Sequence, residues 1–88
     1  MRVGQNRKRD WNEAAIISAL RAIGVTVRQI SGEGVPDLLC HSRGKWLVVE
    51  VKRPRGKLTP AQRELQRVAP FPVVEDVPSA LALFGVRT

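Results

Sequence analysis

The stretch Gly34-Val35-Pro36-Asp37-Leu38-Leu39-Cys40-His41-Ser42-Arg43-Gly44-Lys45-Trp46-Leu47-Val48-Val49-Glu50-Val51-Lys52 decides the fold. It reads as a β-hairpin. Asp37 to His41 is one strand, opened by a proline that cannot donate to a sheet ladder. Ser42-Arg43-Gly44 is the turn, and Lys45 to Lys52 is the returning strand. Side chains alternate between the faces of a strand, so Glu50 and Lys52 share one face while Val49 and Val51 point into a core. Antiparallel pairing sets Asp37, near the start of the first strand, beside the end of the second, close to Glu50 and Lys52. Two carboxylates and an ammonium thus meet at the end of an apolar hairpin, where charged groups are uncommon unless paired or bound to a metal. An ordinary surface pair of Glu50 with Lys52, worth under about 1 kcal/mol, is the competing explanation.

The chemistry suited to this set is phosphodiester cleavage. Two carboxylates make a hard anionic oxygen site that fits magnesium or a similar ion. Such an ion neutralises phosphate charge and acidifies water. A neighbouring lysine holds or activates that water, or stabilises developing charge. Asp37 and Glu50 therefore read as metal ligands, and Lys52 as the partner of the nucleophile.

Outward from the hairpin, the order of elements is α-β-β-β-α-β-α. Asp10 to Ile23 has helical spacing of Trp11, Ala14, Ala15, Ile16, Ala19, Leu20 and Ile23. Asp10 fits its N-cap, Glu13 the capping-box position and Gly24 its stop. Glu13 has two readings, helix cap or additional site carboxylate, and both stay open. Val25 to Ile30 is β-branched and reads as the first strand. Thr59-Pro60-Ala61-Gln62 opens a second helix as N-cap, N1 and capping box, with Leu58, Ala61, Leu65, Val68 and Ala69 as its apolar stripe. Gln62 either caps this helix, reaches into the site, or does both. Pro70 to Glu75 is a short fourth strand with an edge character, and Asp76 caps a last helix over Val77 to Phe84. The crossover from Arg53 to Pro70 is long enough for a parallel βαβ connection. The expected architecture is α/β (α+β): a small mixed four-stranded sheet flanked by helices.

Fifteen Lys and Arg against eight Asp and Glu give a net charge of +7, which points to a polyanionic partner, above all nucleic acid. Arg53, Arg55 and Lys57 leave the site end of the third strand as a candidate phosphate clamp. Arg63 and Arg67 form a basic edge on the second helix. Arg7, Lys8 and Arg9 belong to a basic segment, residues 1–9, expected to be a flexible arm that contacts phosphates; residues 10–88 are expected to form one domain. His41 is at the far end of its strand from Asp37 and reads as a surface residue. The single cysteine, Cys40, reads as a small core residue. No apolar run approaches the roughly 20 residues of a membrane span, and the first ten residues lack the apolar segment of a signal peptide. A reducing, cytoplasmic setting is the expectation.

Gly34-Val35-Pro36-Asp37-Leu38-Leu39, Val49-Glu50-Val51-Lys52 and Leu58-Thr59-Pro60-Ala61-Gln62, together with Glu13 in the first helix, resemble the PD-(D/E)XK nuclease superfamily, and within it the virus-type replication-repair nuclease domain (VRR-NUC). The likeness runs from about residue 10 to 84. It implies a restriction-endonuclease-like fold and a bound Mg2+ or Mn2+. Asp37, Glu50, the main-chain carbonyl of Val51 and Glu13 would ligate the ion, with Lys52 and Gln62 at the attacking water. It further implies a minimal stand-alone member of the kind common in phages, a homodimer that cuts branched DNA such as four-way junctions or flaps. The expected function is a metal-dependent, structure-selective endonuclease of the Holliday-junction-resolvase type. The alternatives are a general nicking nuclease or exonuclease on the same chemistry, and a non-catalytic nucleic-acid-binding module.

Overall fold

A computed structural model describes residues 9–86. The described residues form three helices and one four-stranded sheet in the order α1 (Glu13–Ala22), β1 (Thr26–Gln29), β2 (Leu38–Ser42), β3 (Lys45–Val51), α2 (Pro60–Val68), β4 (Val73–Val74) and α3 (Val77–Leu83). The sheet order is β1-β2-β3-β4. The first three strands form an antiparallel meander, and β4 joins β3 in parallel after the α2 crossover. The fold is therefore a small α+β arrangement with a mixed sheet, in the element order that the sequence predicts.

The hairpin follows from local chemistry. Ser42 pairs with Lys45, leaving Arg43 and Gly44 as a two-residue turn. Both have positive φ, 52° and 78°, the combination of a type I′ turn whose twist matches the strands it joins. The register then places Leu38 against Val49 and Cys40 against Leu47, while Val27 pairs with Cys40 from the other side.

One face of the sheet is apolar. Val27, Leu38, Cys40, Val49 and Val51 are fully buried, with Ile16 and Leu20 of α1 and Ala80 of α3 closing the same core. Each of these Val, Leu and Ile side chains contributes roughly 1.5–3 kcal/mol by leaving water. Burial pushes the Cys40 thiol up to about 11, as expected of a cysteine used as a small hydrophobe. α1 stops where the Gly24 and Val25 N–H groups return to the Arg21 and Leu20 carbonyls at 3.0 Å each, a Schellman closure. α3 starts with a full capping box between Asp76 and Ser79, and the Ser79 N–H and hydroxyl hold the Asp76 carboxyl below its usual range.

Four sequence expectations change. α1 begins at Glu13 with Asn12 as its N-cap residue, not at Asp10, and the Asn12 side chain makes no capping bond. The Asp10 contribution is its carbonyl, which accepts the Glu13 N–H at 3.1 Å. Trp11 is not a core residue: it precedes the first helical turn and is 74% exposed, while Asn12 and Glu13 take the inward positions. Along α2, the apolar stripe is half-buried at best and Val68 is exposed; of the residues of this helix, Gln62 alone is buried. β4 contracts to Val73–Val74, because the preceding Phe71 backbone is taken up by the Gln66 side-chain amide, which donates to its carbonyl and accepts from its N–H.

Candidate functional site

The polar residues that the sequence singles out gather at the end of β2 and β3 remote from the turn. Asp37 immediately precedes β2, and its backbone carbonyl accepts the Ile30 N–H at 2.9 Å. That bond fixes the loop between β1 and β2 at the site. The Asp37 carboxylate turns across the hairpin, and its Oδ2 accepts the Val51 N–H at 2.9 Å. Residue 51, expected to offer a carbonyl to a metal, thus anchors Asp37 through its amide. Asp37 is 5% exposed and Glu50 1%, so both carboxylates are removed from bulk water.

Glu50 projects from the face of β3 opposite the Val49–Val51 core. Its Oε2 lies 3.4 Å from Lys52 Nζ and accepts a hydrogen bond from Gln62 Nε2 at 3.0 Å. The i, i+2 alternation of a strand produces the first contact, and the α2 crossover produces the second. Gln62 also completes its capping box: the Thr59 N–H donates to Gln62 Oε1 at 2.9 Å, and the Gln62 N–H donates to Thr59 Oγ1 at 3.1 Å. One side chain thus makes two contacts, the amide oxygen capping α2 and the amide nitrogen reaching Glu50.

Electrostatically, Glu50 is the perturbed group. Burial raises its carboxyl pKa first, the neighbouring Asp37 charge raises it further, and Lys52 opposes both; the outcome is a pKa of about 7. Near neutrality Glu50 is poised between its protonated and charged forms, a common property of groups that do chemistry.

Glu13 lies at the edge of this cluster and does not cap α1. Its buried carboxylate accepts from Arg9 Nη1 at 3.2 Å and Gln29 Nε2 at 3.1 Å. The same Arg9 Nη1 lies 3.2 Å from Asp37 Oδ1, and Nη2 donates to the Ile30 carbonyl at 3.1 Å. Arg9 is thus not part of a free phosphate-binding arm. Its guanidinium bridges two carboxylates because a planar fork satisfies several acceptors at once. The remaining residues of that arm, including Arg7 and Lys8, lie outside the described residues.

Sequence reasoning missed Asn12. Its Nδ2 donates to the carbonyls of Lys52 at 3.1 Å and Glu75 at 2.7 Å, tying the start of α1 to the end of β3 and to the segment before α3. An asparagine at a helix start signals a cap, and nothing in its position announces a partner forty residues away. The role of Gln29 was missed for the same reason.

The basic loop after β3 turns through Arg53-Pro54-Arg55-Gly56, closed by the Gly56 N–H on the Arg53 carbonyl at 2.8 Å. Arg55 holds a φ of 66°, the third position of a type II turn, which usually takes glycine. Arg53 and Lys57 join Arg9 and Lys52 around an open cleft of about 580 Å³ that also contains Asp10 and Trp11. Arg63 and Arg67 lie on exposed α2 away from that lining. Arg67 pairs with Glu64 at 2.6 Å, so its charge is largely offset, and Arg63 donates to the Leu58 carbonyl. His41 packs against the Trp46 ring at 4.7 Å, at the turn end of the hairpin.

Compared with family models, curated proteins and solved structures, the chain matches none. What it can do therefore rests on its own residues. A hard divalent cation takes one or two carboxylates and completes its shell with water and phosphate oxygens. Asp37 and Glu50 fit that requirement. Glu50 Oε1 is buried without a hydrogen-bond partner among the described residues, leaving one acceptor oxygen open to a cation. Among the described residues no group of three or more His, Cys, Asp or Glu side chains is arranged to hold a metal. Glu13 meets Asp37 through the Arg9 guanidinium, so the two carboxylates that could hold a cation are Asp37 and Glu50.

Proposed function

We propose that the chain is a metal-dependent deoxyribonuclease, a structure-selective DNA endonuclease of the virus-type replication-repair kind, acting on branched DNA as a homodimer in a bacterial or phage-infected cytoplasm. The observation that carries this reading is the buried Asp37–Glu50 pair with Lys52 and Gln62 on the Glu50 carboxylate, Lys52 also lining a basic cleft. Burying two carboxylates together opposes folding unless something gains from it. Mg2+ or Mn2+ held by Asp37 and Glu50 would supply charge neutralisation at the scissile phosphate and water of lowered pKa.

The chain's own groups account for the rest. Asp37 is held in one orientation by the Val51 N–H. Gln62 fixes Glu50 while α2 is capped by the same side chain. Lys52 is 16% exposed at its side chain, so its ammonium sits at the border between the buried pair and the cleft. From there it can orient a water or stabilise charge developing on a phosphate oxygen. Arg53 and Lys57 would hold the backbone on either side without reading bases. Among the described residues no helix is long and apolar enough to cross a membrane.

One observation favours the alternative of a non-catalytic nucleic-acid-binding module. The Arg9 guanidinium already bridges Asp37 and Glu13, neutralising part of the acidic cluster with a resident cation. Cleavage of a labelled four-way junction, beside matched linear duplex and single strand, in Mg2+, Mn2+ or EDTA, separates the readings. Metal-dependent cutting of the junction that Asp37→Ala abolishes is the expected result. Equal cutting of every substrate supports a general nuclease. Tight binding with no cutting in any metal supports the binding module.

A further inference from the structure

Trp11 is the largest departure from the expected core, and its surroundings give it a use. An indole left 74% exposed forgoes a burial that is among the most stabilising any side chain offers. It is nevertheless firmly placed. The turn that carries it is closed by the Glu13 N–H on the Asp10 carbonyl at 3.1 Å. Its neighbour Asn12 is buried and bonded to the carbonyl of Lys52. One residue thus couples the position of Trp11 to the residue at the centre of the candidate site.

Trp11 lines the same cleft as Lys52, Arg53 and Lys57, with Arg9 and Asp10 beside it. Arg9 and Lys52 are already paired with carboxylates behind the cleft, so Arg53 and Lys57 are the cations it offers to a phosphate backbone. An exposed aromatic face next to a cationic track is how proteins grip unpaired nucleotides, because every base offers a π-face once it has left its stack. In an intact duplex those faces are covered by neighbouring base pairs. We infer that Trp11 is a base-stacking platform, and that the branched DNA taken by this site presents an unstacked nucleotide, as where strands part at a branch point, beside the phosphate presented to Lys52. The second half of that statement rests on the nuclease reading above; the stacking itself does not. Trp46 supplies an internal contrast: it is also exposed, at 65%, but its ring packs on His41 at the opposite end of the hairpin.

The chain has two tryptophans and no tyrosine, so Trp46→Phe leaves Trp11 as its one strong emitter. Titration of this variant in EDTA with oligothymidylate, a gapped duplex and a fully paired duplex reads stacking directly, without any cutting. Oligothymidylate and the gapped duplex should quench the emission, and the paired duplex should bind with little quenching. Trp11→Ala should weaken binding of the first two roughly ten-fold or more, with Trp11→Phe retaining most of the affinity and the paired duplex unaffected. Because Trp11 is exposed, these variants should fold, which circular dichroism verifies. Equal quenching by all three ligands, or unchanged affinity in Trp11→Ala, overturns the inference. A protein that stacks bases but never cuts keeps the platform and loses the nuclease; one that cuts with Trp11→Ala unimpaired in binding and cutting loses only the platform.

Discussion

The two ends of the β2–β3 hairpin are built from the same strands in the same register, yet they solve opposite problems. At the turn end, Ser42 faces Lys45 and His41 faces Trp46; polar groups look to water, and the Trp46 indole stays largely exposed beside the His41 ring. At the other end, Asp37 and Glu50 are almost fully buried and are held by Val51, Gln62, Lys52 and Arg9. A strand end that needed only to stop could have done so as the turn end does. The difference teaches that the charge at the second end is kept at a cost to folding, and that its hydrogen bonds fix geometry more than they add stability. α2 repeats the lesson, since its buried residue is a glutamine serving both its own cap and Glu50.

The largest effect that would break this contrast concerns activity. Lys52→Ala should lower cleavage on the order of a hundred-fold or more, the scale seen when a charge-stabilising group is removed from an active site. Trp46→Phe, at the turn end, should leave the rate of cutting unchanged. Comparable losses from both variants would show that the two ends are not functionally distinct.

Next comes the pH dependence of stability in EDTA. The folded Glu50 pKa is about 7, against an ordinary value of 4.5. The folded state therefore binds the proton more tightly than the unfolded state between those values. Stability contributed by protonated Glu50 is present below pH 4.5 and is lost as pH rises through 7. Urea titrations should give a decline of roughly 1–3 kcal/mol across that window, and Glu50→Gln should flatten it. A rise in stability over the same window would mean that Glu50 is stabilised as an anion.

A smaller effect sharpens the comparison at the backbone. Gly34 and Gly44 both have positive φ, but they lie at opposite ends of β2. A Cβ on Gly34 would meet the Ala61 side chain at 3.0 Å and its carbonyl at 3.1 Å, whereas one on Gly44 meets nothing within 4 Å. Gly44→Ala should cost only the conformational penalty of about 1 kcal/mol. Gly34→Ala should cost more and should reduce cleavage, because it pushes on α2 one residue from Gln62. Equal destabilisation with equal activity would show that α2 tolerates the displacement.

Much of this was legible in the sequence because it is local. The alternation of Lys45 to Val51, the Arg43-Gly44 turn, the Thr59 and Asp76 caps and the juxtaposition of Asp37 with Glu50 and Lys52 all follow from periods and turn chemistry within a short span. Trp11 was misread because its spacing fits the helical stripe, while the helix starts two residues later and turns Asn12 and Glu13 inward. Asn12 could not be read, since its partners are 40 and 63 residues away; Arg9 has a local partner in Glu13, four residues on, but its bridge to Asp37 spans 28 residues and nothing local selects it. Val68 shows the limit of periodicity: the stripe is present on α2, but among the described residues little packs against its C-terminal end.

The most direct test of the central claim, that Asp37 and Glu50 are buried together in order to hold a divalent cation, is the thermal midpoint of the protein at pH 8 as Mn2+ replaces EDTA, measured for wild type and Asp37→Asn. A ligand that binds only the folded state raises stability by RT ln(1 + [L]/Kd). The wild type should gain several degrees, saturating with Mn2+, and Asp37→Asn should gain none. An unchanged midpoint in the wild type, or an equal gain in both proteins, would contradict the claim and leave Arg9 as the cation for which the site is made.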